Sequence, residues 1–261
     1  METNLTGKKF LVTRPKQQSE ALCTMIESKG GEAIRFPVIR IMPPAGTDAL
    51  REILSRVADY DIGIFISQNA VNKVLELLNK DIHALYNLKL VAVGKATARL
   101  LKKAGFSEIS HTDSVASSEA LLDLPVLQAD LLKGSRIIIF RGVGGRELLA
   151  NILAERGAIV DYAEVYQRVP VHYENTILDK IWLHERPDYV IVTSNEGLQY
   201  LFDMLNLQQK SRLLETQLVV LGSRMAELAM DLGFGKKPVI AGETSDKGLL
   251  KAIIQAAGVN E

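Results

Sequence analysis

The chain has 261 residues, enough for two hydrophobic cores, and its 47% share of hydrophobic residues excludes a disordered protein. Lys plus Arg and Asp plus Glu number 31 each, so no net field favours nucleic acid or an acidic membrane, and any anionic ligand must be held by local geometry. A lone Cys23 and four scattered histidines, His83, His111, His172 and His184, exclude a disulfide framework and give no metal-ligand spacing.

Met1–Lys9 carries no apolar segment of the kind that directs export, and apolar runs such as Ile137-Ile138-Ile139-Phe140 are far too short to span a bilayer. The expectation is therefore a soluble, cytoplasmic protein. Short β-branched runs then alternate with longer amphipathic ones, the pattern of a parallel sheet flanked by helices. Strands are expected near 9–13, 33–41, 61–66, 89–93 and 108–110, with helices near 17–30, 47–58, 69–80 and 95–104. The second half repeats the series, with strands near 136–140, 160–168, 188–193, 217–221 and 238–241 and helices near 145–156, 174–185, 195–206 and 223–232.

The two series are copies. Lys9 to Arg14 returns as Arg136 to Arg141, and Asp61 to Ser67 returns as Asp188 to Ser194, both 127 residues on. After one inserted residue Val91 to Gly94 matches Val219 to Gly222, and Ser117 with Leu121-Leu122 matches Ser245 with Leu249-Leu250. A repeat of this length describes two similar domains rather than a solenoid, and a cleft between domains is where small ligands are usually held. The segments 36–41 and 163–169 run into Pro43-Pro44 and Pro170, which suits edge strands or interdomain connectors that pair with each other.

In a doubly wound sheet, ligands lie beyond the carboxyl ends of the strands, against helix N-termini. At those turns stand Ser67-Gln68-Asn69, Gly94-Lys95-Ala96-Thr97, Ser194-Asn195-Glu196-Gly197 and Gly222-Ser223-Arg224. Bare N–H groups at the positive end of a helix dipole suit carboxylate or phosphate, although Ser67, Thr97 and Ser194 equally suit helix capping. Arg14 and Arg141 end the first strand of each copy, placed either to reach the same anion or to lie solvated at the surface. A dinucleotide reading rests on Gly142-Val143-Gly144-Gly145-Arg146-Glu147, with Asp161 about where a ribose-binding acid belongs. Glu147 in the third glycine position opposes a pyrophosphate, and the matching turn Arg14 to Ser19 has no glycine. As a strand tyrosine, Tyr166 reads as half-buried packing with its hydroxyl in water, and its copy-one counterpart is Ile39.

Taken in order, Leu11-Val12-Thr13-Arg14-Pro15, Phe65 to Val71, Val91 to Ala98, Val165-Tyr166-Gln167-Arg168 and Val192 to Leu198 resemble uroporphyrinogen-III synthases over essentially the whole chain. The resemblance implies an α/β protein of two flavodoxin-like parallel-sheet domains, from an internal duplication, joined by a two-stranded β-ladder. The implied domains are 1–37 plus 171–261 and 40–165, with 36–41 and 163–170 as connecting strands. It implies a hydro-lyase that cyclises hydroxymethylbilane, a linear tetrapyrrole, to uroporphyrinogen III with loss of water and inversion of ring D, in haem biosynthesis. Tyr166 is then the family-matched catalytic residue, assisting loss of the hydroxyl. The substrate-binding residues expected from the turns and strand ends above are Arg14, Ser67, Gln68, Asn69, Gly94, Lys95, Thr97, Arg141, Ser194, Asn195, Gly197, Gly222, Ser223 and Arg224. The family often has threonine in the first turn after Gly222; here Ser223, Arg224 and Met225 stand instead, leaving Ser223 or Arg224 to substitute. The implied reaction needs no cofactor, and the expectation from composition and spacing is no metal and no nucleic-acid or membrane partner, for a protein expected to be a monomer. The competing readings are a two-lobed anion-binding protein without catalysis and an NAD-dependent enzyme using the 142–145 turn.

Overall fold

The computed structural model describes residues 4–79, 82–112, 118–145 and 147–258. Ser117 of the repeat and Arg146 of the glycine-rich turn lie outside them. In chain order the first elements are β1 (Lys9–Val12), α1 (Lys16–Glu27), β2 (Glu32–Arg35), β3 (Ile39–Met42), α2 (Asp48–Ser55), β4 (Ile62–Phe65), α3 (Gln68–Leu77), β5 (Lys89–Ala92), α4 (Gly94–Lys103) and β6 (Ile109–His111). Then follow α5 (Ser118–Leu121), α6 (Ala129–Leu132), β7 (Arg136–Gly142), α7 (Leu148–Glu155), β8 (Ile159–Pro170), α8 (Asn175–Asp179), β9 (Tyr189–Val192), α9 (Asn195–Asp203), α10 (Leu207–Glu215), β10 (Gln217–Val220), α11 (Ser223–Asp231), β11 (Val239–Ile240) and α12 (Asp246–Ala256).

Two compact units result, one of Met1–Arg40 with Val169–Glu261 and one of Ile41–Arg168. The strand order is β11-β10-β9-β1-β2 in the five-stranded sheet and β3-β8-β7-β4-β5-β6 in the six-stranded one. Leaving β3 aside, both have the flavodoxin-like order, with β1 or β7 as the first strand and β9 or β4 as the third. Each sheet thus takes strands from both copies of the repeat. The exchange is legible in single bonds. Asp188 accepts the Lys9 N–H at 2.8 Å, and its repeat partner Asp61 accepts the Arg136 N–H at 2.8 Å. The register agrees too, Phe10 facing Tyr189 as Ile137 faces Ile62.

Alternation along β7 builds the larger unit. Ile137 and Ile139 join Ile62, Ile64, Leu149 and Leu153 under one face. Ile138 and Phe140 join Phe65, Val165 and Tyr166 under the other. Both faces of a parallel sheet are covered in this way, and each such buried side chain contributes about 1.5–3 kcal/mol. In the other unit Phe10, Val12, Leu22, Ile26, Ile191, Val219 and Ile253 pack together.

Residues 33–41, expected as one strand, divide into β2 and β3. Pro37 has no N–H for a ladder, so the run breaks around it and the two halves enter different sheets. The backbone at the break is held by Val171 N–H donating to Val38 O at 3.0 Å, by the Tyr173 hydroxyl donating to Pro37 O at 3.0 Å, and by Phe36 stacked on Tyr173 at 4.3 Å. The expected helix 174–185 is α8 followed by a wider π turn over Lys180–Glu185. Of the helices absent from the sequence reading, α5, α6, α10 and α12, the last two have clear starts: a reciprocal capping box between Asn206 and Gln209, and Ser245 accepting the Gly248 N–H at 3.0 Å. Among the described residues no helix is long and apolar enough to cross a membrane.

Candidate active site

In each unit the crevice that the strand order creates lies beyond the carboxyl ends of the first and third strands. In the unit of residues 41–168 these are β7 and β4. Ser67 follows β4 with extended backbone, φ −163° and ψ 162°, and its Oγ accepts the Ala70 N–H at 3.1 Å, capping α3. The same Oγ lies 3.1 Å from the Tyr166 hydroxyl. Tyr166 is 1% exposed and belongs to the core cluster, so its hydroxyl is not in water as a surface strand tyrosine's would be. Two features put the ring there. The ladder slips between Arg141 and Gly142, so that Gly142 rather than the next residue pairs with Tyr166, and Val143 N–H donates to Tyr166 O at 2.7 Å. Gly142 also leaves the space: a Cβ on it would lie 2.7 Å from the Tyr166 ring.

Arg141 is not a solvated arginine. It is 5% exposed, donates through Nε to Gly142 O at 3.2 Å, lies 3.6 Å from the Glu164 carboxylate and stacks over the Tyr162 ring at 4.3 Å. Burial pushes the Tyr162 hydroxyl's pKa up, with Arg141 opposing. The Gly144 N–H donates to Glu164 at 3.0 Å. The amide that a pyrophosphate would need is thus held by a carboxylate, which weakens the dinucleotide reading further. Asp161 accepts from the Tyr60 hydroxyl at 2.8 Å and pairs in register with Ile138, towards the opposite end of the sheet from a ribose.

At the turn after β5, Gly94 takes a left-handed φ of 77°, and its N–H donates to Thr112 Oγ1 at 3.2 Å. That amide is satisfied internally rather than bare. Thr97 is 4% exposed and packs on the inner side of α4, whereas Lys95 is exposed. Gln68 is exposed and Asn69 half-buried.

In the other unit the first and third strands are β1 and β9. Ser194 repeats the role of Ser67, its Oγ accepting the Gly197 N–H at 3.0 Å to cap α9, with Asn195 exposed beside it. Gly197 is buried against Val38 and Ile39, 3.6 and 3.7 Å from where its Cβ would lie. Arg14 pairs with Asp246 in the first turn of α12, and its Nε is buried. The turn after β10 has no side-chain cap; Gly222 is extended at φ −168°, and Ser223 and Arg224 are exposed. Sequence reasoning missed Thr112, Glu164 and Asp246. Glu164 falls opposite Pro37 in the repeat, and Asp246 meets Arg14 from 232 residues away, so neither spacing nor duplication signals them. Among the described residues no group of three or more His, Cys, Asp or Glu is arranged to hold a metal ion.

The family model described as uroporphyrinogen-III synthase HemD matches residues 20–251, which include all four turns. The chain is 33% identical to the uroporphyrinogen-III synthase of Escherichia coli (strain K12) over 246 residues, 94% of this chain and 99% of that protein. Among solved structures it is similar in fold to uroporphyrinogen-III synthetase from Helicobacter pylori 26695, with a TM-score of 0.64 at 17% identity, covering 95% of this chain and 99% of that one. A mutant uroporphyrinogen III synthase from the extremely thermophilic bacterium Thermus thermophilus gives a TM-score of 0.62 at 20% identity, covering 97% and 100%.

Proposed function

The chain belongs to the uroporphyrinogen-III synthase family, and from that premise we propose that it cyclises hydroxymethylbilane to uroporphyrinogen III with loss of water. The observation that carries the reading is the family match over residues 20–251, which runs through both units and the turns at 67–69, 94–97, 194–197 and 222–224. In the proposed reaction the terminal hydroxyl leaves to give an electrophilic azafulvene. Ring D attacks through its substituted carbon, a spiro intermediate forms, and the macrocycle closes with that ring inverted. Activated pyrroles react readily, so the protein's task is to fold the substrate and assist departure of the hydroxyl.

The substrate's carboxylates are held by N–H groups and hydroxyls at 67–69, 94–97, 194–197 and 222–224. Those amides that cap or brace their own turns, at Ala70, Gly94 and Gly197, pass this work to their neighbours. Arg14 and Arg141 assist through their field, since each is tied to an acid, Asp246 or Glu164. The Ser67–Tyr166 pair supplies the hydrogen bond to the leaving hydroxyl. The domains proposed are 1–37 with 171–261 and 40–165, joined through 36–41 and 163–170. The enzyme acts in the cytoplasm, as a monomer, without cofactor. Purified protein given hydroxymethylbilane, with no metal or nucleotide added, is expected to form the type III isomer. Product limited to the type I isomer, which forms spontaneously, would overturn the reading.

A further inference from the structure

Ser67 Oγ has two hydrogen-bond neighbours inside the protein, the Ala70 N–H at 3.1 Å and the Tyr166 hydroxyl at 3.1 Å. A serine oxygen accepts through two lone pairs and donates one proton. The Ala70 N–H fills one lone pair. Tyr166, 1% exposed, has a phenolic proton that must be donated within the protein, and a phenol is a stronger donor than an aliphatic alcohol. Ser67 Oγ lies within its reach, and Ser67 is the more exposed member of the pair. With both lone pairs filled, Ser67 can only turn its own proton away from the core. A hydroxyl that accepts two hydrogen bonds is polarised into a better donor.

We infer that Ser67, rather than Tyr166, is the hydroxyl that touches the substrate, and that Tyr166 is a positioning residue acting through it. The inference rests on the proposed cyclisation. Ser67 donates a hydrogen bond to the terminal oxygen as the C–O bond breaks with its electron pair on that oxygen. The ring nitrogen's lone pair forms the new double bond, the nitrogen's proton joins the departing hydroxide as water, and Ser67 keeps its own proton. The slip at Arg141/Gly142 and the missing Cβ of Gly142 then have a purpose, since they let a bulky phenol stand behind the serine.

The test is a double-mutant cycle on kcat and KM with melting temperatures. A hydrogen bond to developing charge corresponds to about ten- to a hundred-fold in rate. Ser67→Ala is expected to lower kcat by about that factor, and Tyr166→Phe by less, roughly three- to ten-fold. The double variant should match Ser67→Ala alone. Ser67→Thr restores both rate and melting temperature, whereas Ser67→Asn, which still caps α3, restores only the melting temperature. A Tyr166→Phe loss as large in the Ser67→Ala background as in the wild type would overturn the inference by placing Tyr166 on the substrate. A second readout needs no turnover. The exchange-protected Tyr166 hydroxyl proton, identified by NMR through its loss in Tyr166→Phe, is expected to move upfield in Ser67→Ala; an unmoved resonance contradicts the donation. A wild-type enzyme that formed no type III isomer would instead overturn the functional reading and leave the hydroxyl-proton result to decide the geometry.

Discussion

Ser67 and Ser194 occupy equivalent places in the two units, each capping a helix from extended backbone at 3.1 and 3.0 Å, yet what stands behind them differs. Tyr166 backs Ser67, and its counterpart in the repeat is the buried apolar Ile39. The same contrast recurs at the ends of β7 and β1. Arg141 leans on Glu164 and the Tyr162 ring from the adjacent strand, whereas Arg14 pairs with Asp246 on α12. Duplication preserved the backbone device, down to the matched Asp188–Lys9 and Asp61–Arg136 bonds. The side chains around the crevice were replaced separately. A polar group that one unit does without is not required by the fold, which is why the Tyr166 hydroxyl is read as a positioning group for Ser67 rather than as packing alone.

The strongest break of this asymmetry is at Gly142. An added Cβ would lie 2.7 Å from the Tyr166 ring, so Gly142→Ala must displace the ring or the strand, and overpacking of this kind costs about 1–3 kcal/mol. Chemical denaturation should show that loss in wild type and much less of it when Tyr166→Val is already present. Equal loss in both backgrounds would mean the ring is not what Gly142 accommodates.

The two arginines come next. Arg141→Ala removes a 5% exposed guanidinium held by Gly142 O, Glu164 and the Tyr162 ring among others, and is expected to cost about 1–2 kcal/mol, after allowing for the exposure of Glu164. Arg14→Ala, whose side chain is 17% exposed and whose partner is 30% exposed, should cost less, about 1 kcal/mol or below. Melting curves of the two variants compare them directly, and an equal or reversed order would contradict the placement of Arg141.

The smallest effect separates nothing between the units and serves as a control. Tyr60 and Tyr162 in one unit, and Tyr173 and Tyr189 in the other, have pKa values raised first by burial. The folded state therefore keeps these protons longer than the unfolded chain. Their contribution is fully present below the unfolded value of about 10 and is lost as pH rises beyond it. Unfolding free energies should decline above that pH, and Tyr→Phe variants should flatten the decline. A level profile would place these hydroxyls in water.

Much of the scaffold was readable because the strands are dense in β-branched residues and recur at a fixed offset. The expected strands near 61–66, 89–93, 188–193 and 217–221 appear as β4, β5, β9 and β10 within a residue or two. The failures have local physical causes. Pro37 split a run that hydropathy made continuous, and α10 lies in a polar stretch whose Asn206–Gln209 box was the overlooked signal. At the crevice the sequence located the serines, glycines and arginines, because their positions follow from strand ends. It could not show that Gly94 spends its N–H on Thr112, that Thr97 faces inward, or that the Tyr166 hydroxyl meets Ser67 across 99 residues. Those depend on packing between distant segments.

If Ser67 is the hydroxyl on the substrate, the two equivalent turns divide their labour: the one backed by Tyr166 assists bond breaking, and its repeat partner at Ser194 only holds substrate. Steady-state kinetics of Ser67→Ala and Ser194→Ala on hydroxymethylbilane, scored as type III product, test it most directly. Both variants lose one helix cap, about 1 kcal/mol, and Ser67→Ala also leaves the buried Tyr166 hydroxyl without its acceptor, about 1–3 kcal/mol more, so melting temperatures are measured beside the kinetics. Ser67→Ala is expected to lower kcat with KM little changed, while Ser194→Ala raises KM a few-fold, about the value of one hydrogen bond, and leaves kcat near wild type. Equal falls in kcat for the two variants, or a fall confined to Ser194→Ala, would contradict it.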